Sequence, residues 1–60
     1  PAKDFVAGLV VAHEKALADA ERLRDVSGEA DDLETQDLAI DRVKWHKKTL
    51  WMLKSYLKSA

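Results

Sequence analysis

The stretch Ala39-Ile40-Asp41-Arg42-Val43-Lys44-Trp45-His46-Lys47-Lys48-Thr49-Leu50-Trp51-Met52-Leu53-Lys54-Ser55-Tyr56-Leu57 decides the fold. Within it Ala39, Val43, His46, Leu50, Leu53 and Leu57 follow one another at steps of 4, 3, 4, 3 and 4 residues. That rhythm gathers side chains along one face of an α-helix and is the mark of a helix-packing seam. Trp45, Met52 and Tyr56 flank the seam on one side, and Ile40 and Trp51 on the other. An apolar surface this wide is more than one partner helix can cover. A helix carrying it must dock on several others, which implies a four-helix bundle.

Upstream, Phe5, Val6, Leu9, Val10, Ala12, His13, Ala16, Leu17, Ala20 and Leu23 repeat at three- and four-residue steps. They predict a first amphipathic helix over about residues 4–27, with Glu14, Asp19, Glu21, Arg22 and Asp25 on its polar face. Asp4 suits the N-cap, and Ser27-Gly28 suits the stop, because glycine tolerates the left-handed conformation that closes helices. Gly8, inside the helix, costs up to about 1 kcal/mol relative to alanine and marks either close packing or nothing. Residues 28–32 are a short polar loop, so the second helix, over about 33–58, folds back on the first. Two starts compete for it. Asp31-Asp32-Leu33-Glu34 has the form of a capping box with Asp31 accepting, and Thr35 is a rival N-cap. The expected fold class is all-α: residues 1–60 form one antiparallel two-helix hairpin, half of a ferritin-like four-helix bundle.

The rest of the composition agrees. Sixty residues with no cysteine exclude a multidomain protein and a disulfide framework. A chain this short buries only about 60% of its unfolded surface and usually needs a metal or a partner when disulfides are absent. Apolar residues make up 47%, but nine of them are alanine, which is thin for a monomer. The longest apolar run, Leu9 to Ala12, falls far short of the ~18 residues of a membrane span, and no basic segment leads into a secretory-type apolar stretch. A cytoplasmic protein with no membrane partner is expected. The start at Pro1 instead of methionine suggests a processed product or a fragment of something longer.

The net charge of −1 averages over a segregated pattern. Five acids and no base lie between Asp31 and Asp41, and six bases and no acid between Arg42 and Ala60. Acids at the start of a helix and bases toward its end compensate the macrodipole, at a few tenths of a kcal/mol each. Capping, dipole compensation and solubility therefore explain the acids Asp32, Asp37 and Asp41 without any ligand, although such an oxygen cluster also suits weakly held divalent cations. Lys44, Lys47, Lys48, Lys54 and Lys58 could touch phosphate, but a lysine-rich helix end is equally what the dipole favours. Trp45 and Trp51 could stack bases, though packing accounts for them more simply. No glycine-rich loop or nucleophile elbow is present.

Two histidines remain. With a turn near residue 30, His13 and His46 fall at about the same height and can meet. They could give a transition metal two nitrogen ligands, with Glu14 or a partner chain completing the shell. Hydrogen-bonded bundle histidines are the favoured reading, since no HxxxH or ExxH pairing supports a metal and Glu14 turns about 100° away from His13, toward solvent.

Asp32-Leu33-Glu34-Thr35-Gln36-Asp37-Leu38, then Arg42 and His46-Lys47-Lys48-Thr49-Leu50-Trp51-Met52-Leu53-Lys54, resembles the last helix of the Dps family, DNA-binding proteins from starved cells within the ferritin superfamily. That helix typically reads D-x-x-T-x-D-L-L followed by H-E-K-x-x-W-M-L-R. His13-Glu14-Lys15-Ala16-Leu17 is similar to the family's third helix, so the resemblance spans about residues 9–57. Lys47 replaces a usual glutamate, and Asp31 stands where glycine is common. The resemblance implies a four-helix bundle assembled into a twelve-subunit shell that oxidises ferrous iron, stores the mineral and protects DNA. Such a protein is a ferroxidase, but the ligands of that reaction, two histidines with Asp-x-x-x-Glu, belong to the first two helices, which this chain does not contain. What carries over is the acidic three-fold pore: Asp32, Asp37 and Asp41 match its D-x4-D-x3-D spacing, with iron passing transiently between them.

The partners implied are further copies of the subunit and the first two helices. Any DNA binding is weak and salt-sensitive, since only Lys54 and Lys58 approach a tail. A different class of function is also open: a non-enzymatic helical hairpin that oligomerises by itself.

Overall fold

The computed structural model describes residues 1–59 as two antiparallel helices, α1 (Ala2–Glu29) and α2 (Leu33–Ser59), with no strand among the described residues. The pair forms a rod of 44 × 14 × 11 Å, one helix-pair thick. Among the described residues no helix is long and apolar enough to cross a membrane.

The α2 seam lies as its spacing predicts. Ala39, Val43, His46 and Leu50 are buried against α1, between 1% and 6% exposed, and Leu53 and Leu57 continue the line half-buried toward the open end. The facing seam of α1 is narrower than its apolar pattern implies. It runs through Val6, Val10, His13, Leu17, Ala20, Arg24 and Ser27, while Phe5, Ala12 and Leu23 stay exposed. Two helices meet along a line, so a broad stripe on each leaves its margins uncovered. Among the described residues no large side chain is fully buried.

The ends of α1 differ from the sequence expectation. Pro1, not Asp4, occupies the N-cap position: its carbonyl accepts the Phe5 N–H at 2.9 Å, and Asp4 sits in the first turn, where its charge faces the positive end of the helix. At the other end Ser27-Gly28 does not stop the helix. Ser27 is buried, and its hydroxyl donates to the carbonyls of Leu23 at 2.6 Å and Arg24 at 3.2 Å, which satisfies it inside the helix. Gly28 keeps negative φ and lies under the Gln36 amide, so its missing side chain serves close approach of α2. Gly8 has open space where a Cβ would stand.

The left-handed position is Asp31, with φ of 57°. The Asp31 N–H donates to the Gly28 carbonyl at 3.1 Å and the Asp32 N–H to the Ser27 carbonyl at 2.9 Å, the paired bonds of a Schellman ending. Asp31 thus takes the left-handed position that glycine more often fills at a helix end. Neither Asp31 nor Thr35 caps α2. The N-cap is Asp32, which accepts the Thr35 N–H on Oδ1 at 3.3 Å and the Thr35 hydroxyl on Oδ2 at 2.6 Å. The loop is accordingly three residues, Ala30 to Asp32, shorter than the expected 28–32.

Candidate functional site

The three aspartates of the expected pore are not equivalent. Asp32 has both carboxylate oxygens engaged by Thr35, and these hydrogen bonds, side chain first and backbone second, hold its pKa below the ordinary aspartate value. The Asp32-x-x-Thr35 element therefore has a local physical explanation as a helix cap. Asp37 and Asp41, one turn apart on α2, are exposed. Among the described residues no three of His, Asp or Glu converge on a point where a metal ion could be held.

The histidines do converge. His13 of α1 and His46 of α2 stand with Nδ1 facing Nδ1 at 2.9 Å, their ring centroids 5.2 Å apart and the planes tilted by 57°. One Nδ1 donates its proton and the other accepts, which fixes complementary tautomers. His46 is buried and His13 half-buried. The Trp45 indole packs against both rings, at 5.3 Å from His13 and 4.8 Å from His46, the latter edge-on at 70°. Above Trp45 lies the Arg42 guanidinium, 4.7 Å from the ring centre, in a cation–π stack. Burial first, then the positive charge of Arg42 and the proximity of His13, push the His46 pKa below its ordinary value.

Glu14 does not simply face solvent. Its carboxylate reaches across the hairpin to the Lys54 ammonium at 3.2 Å, an exposed pair of modest energetic weight. Sequence reading missed this link because it joins the two helices, whereas the Arg42–Trp45 stack was open to discovery from its i, i+3 spacing.

The lysines of α2 lie exposed along the helix, and among the described residues the hairpin encloses no pocket. The largest unpartnered feature is apolar. Phe5, Val11, Leu38, Trp51 and Met52 are half or more exposed, Trp51 reaching 70%, and Trp45 and Tyr56 lie only a little deeper. No family model, curated protein or solved structure matches the chain.

Proposed function

We propose that this hairpin supplies the third and fourth helices of a Dps-like mini-ferritin, a cytoplasmic shell of twelve subunits that oxidises and stores iron and shields DNA from oxidative damage. The observation that carries the reading is apolar exposure on both flanks of the α2 seam, with Trp51 70% exposed on one side and Trp45, Met52 and Tyr56 about half exposed on the other. Exposed apolar surface of this kind marks a contact with further helices, and two more complete a four-helix bundle. The sequence resemblance names which bundle. In that assembly Asp37 and Asp41, exposed on α2, would line an acidic entry that concentrates negative potential around a symmetry axis and draws ferrous iron inward as substrate. Asp32 contributes charge at the mouth while its oxygens remain on Thr35. Oxidation itself falls to ligands on the first two helices, and DNA contact is limited to weak, salt-sensitive association through Lys54 and Lys58.

The test is iron uptake by the complete shell, formed with the helices that carry two histidines and Asp-x-x-x-Glu. Asp32→Asn, Asp37→Asn and Asp41→Asn together should slow ferrous iron uptake several-fold and leave shell mass unchanged, since asparagine retains N-cap competence at position 32. Uptake kinetics equal to the parent shell would remove the pore assignment.

The same outward surface supports a second reading, in which a second copy of this chain provides the two covering helices and the hairpin is a non-enzymatic oligomerisation module. Sedimentation of the chain alone separates the two. A stable dimer favours the module, and a shell-sized particle formed only with a second polypeptide favours the mini-ferritin.

A further inference from the structure

We propose that His13 and His46 form a protonation-sensitive clasp that joins α1 to α2 when the two rings share one proton and releases them when both rings are charged. The clasp stands near the midpoint of both helices, inside the seam formed with Val43 and Leu50. Two nitrogens facing each other at 2.9 Å have room for one hydrogen between them. With one proton on that line, an N–H meets a lone pair and the bond closes. A second proton, taken up from solvent, sets N–H against N–H and positive charge against positive charge, and the rings must separate.

The groups facing the pair do not offset that second charge. On α2, Arg42 is held over the Trp45 ring that packs on both histidines, and it adds positive potential. On α1, the Glu14 carboxylate beside His13 is engaged by Lys54. Neither imidazole forms an ion pair with a carboxylate among the described residues. Burial of His46 works in the same direction by disfavouring its charged form. Because the neutral form of His46 is favoured in the folded hairpin, the unfolded chain takes up its proton first. The stability contributed by the clasp is thus full above about pH 6.5, falls as pH drops through that value, and is gone below the depressed folded pKa. The inference rests on the hairpin alone and is independent of what covers its outer faces.

The experiment is thermal unfolding of the chain by far-ultraviolet circular dichroism between pH 7.5 and pH 5, with EDTA present throughout, for the parent and for His13→Gln. The parent midpoint should fall by about 5 °C or more over that range, and the variant, with one titrating ring removed, by less than half as much. Equal pH profiles for the two proteins, or a flat profile for the parent, would overturn the clasp. Histidine NMR titration of the parent gives a reading that needs no variant. Two separated protonation steps are expected, the second displaced to lower pH, whereas two independent rings with one ordinary midpoint near 6.5 would overturn the proposal.

Discussion

The inside of the hairpin and its outside use the same kinds of residue to opposite effect. Along the inner seam Ala39, Val43 and Leu50 are nearly out of water, held beside a histidine pair whose Nδ1 atoms satisfy one another. On the outer faces larger residues, among them Trp51, Phe5, Leu38 and Met52, remain in contact with solvent. The bulkiest apolar side chains therefore do little for the contact between the two helices. Hydrophobic stabilisation follows area removed from water, at roughly 25 cal/mol per Å², so most of what these side chains can contribute is still unrealised in the isolated hairpin. The difference teaches that the inner seam specifies how α1 meets α2, while the bulkier apolar residues outside it take no part in that contact.

Substitutions on either side sharpen that contrast. Leu50→Ala should be the most damaging, because it opens a cavity in a seam with few buried residues; a loss of about 2–4 kcal/mol is expected, enough to abolish the cooperative thermal transition of a hairpin this small. A clear transition retained in Leu50→Ala would show that the inner seam is not the main source of stability. Trp51→Lys should act in the other sense. It should leave the helix content of the chain nearly unchanged and abolish its association with covering helices, read as loss of the assembled species in sedimentation. If instead Trp51→Lys unfolded the hairpin and spared assembly, the assignment of inside and outside would be reversed.

Gly8→Ala gives the smallest and most diagnostic effect. An added Cβ meets nothing within 4 Å in the hairpin, so the substitution should raise the unfolding midpoint of the chain by the equivalent of about 0.5–1 kcal/mol. Should the same change weaken assembly while stabilising the hairpin, Gly8 lies where a covering helix approaches closely. Stabilisation of both would place position 8 away from the assembly contact.

How much of this was legible beforehand varied from residue to residue. The α2 seam was readable because large apolar residues recur there with regular spacing. The α1 seam was not, because alanines and valines make its apolar stripe wide enough to hide which line faces α2, and Leu23 was assigned inward while Arg24 and Ser27 lie on the true seam. Ser27-Gly28 was misread as a stop, since its sequence does not show that the Ser27 hydroxyl would find carbonyls of its own helix or that Gln36 would lie over Gly28. The left-handed turn position fell to Asp31, a residue that adopts it less readily than glycine. The meeting of His13 and His46 followed from counting residues to the turn. Its closeness did not, because a one-residue change in the turn rotates each helix by about 100° and would separate the rings.

By itself, then, the sequence determined an all-helical hairpin, the inward face of α2 and the segregation of acids from bases. These are properties of periodicity and charge order, which are local and one-dimensional. Only the structure decided that Asp32 spends its oxygens on a helix cap while Asp37 and Asp41 stay exposed, that Glu14 reaches Lys54, and that the Nδ1 atoms of His13 and His46 meet at 2.9 Å. The Asp32 cap is local to the start of α2, whereas the Glu14–Lys54 and His13–His46 contacts depend on the register and rotation of one helix against the other, which the turn geometry and the packing of small residues beside it set together.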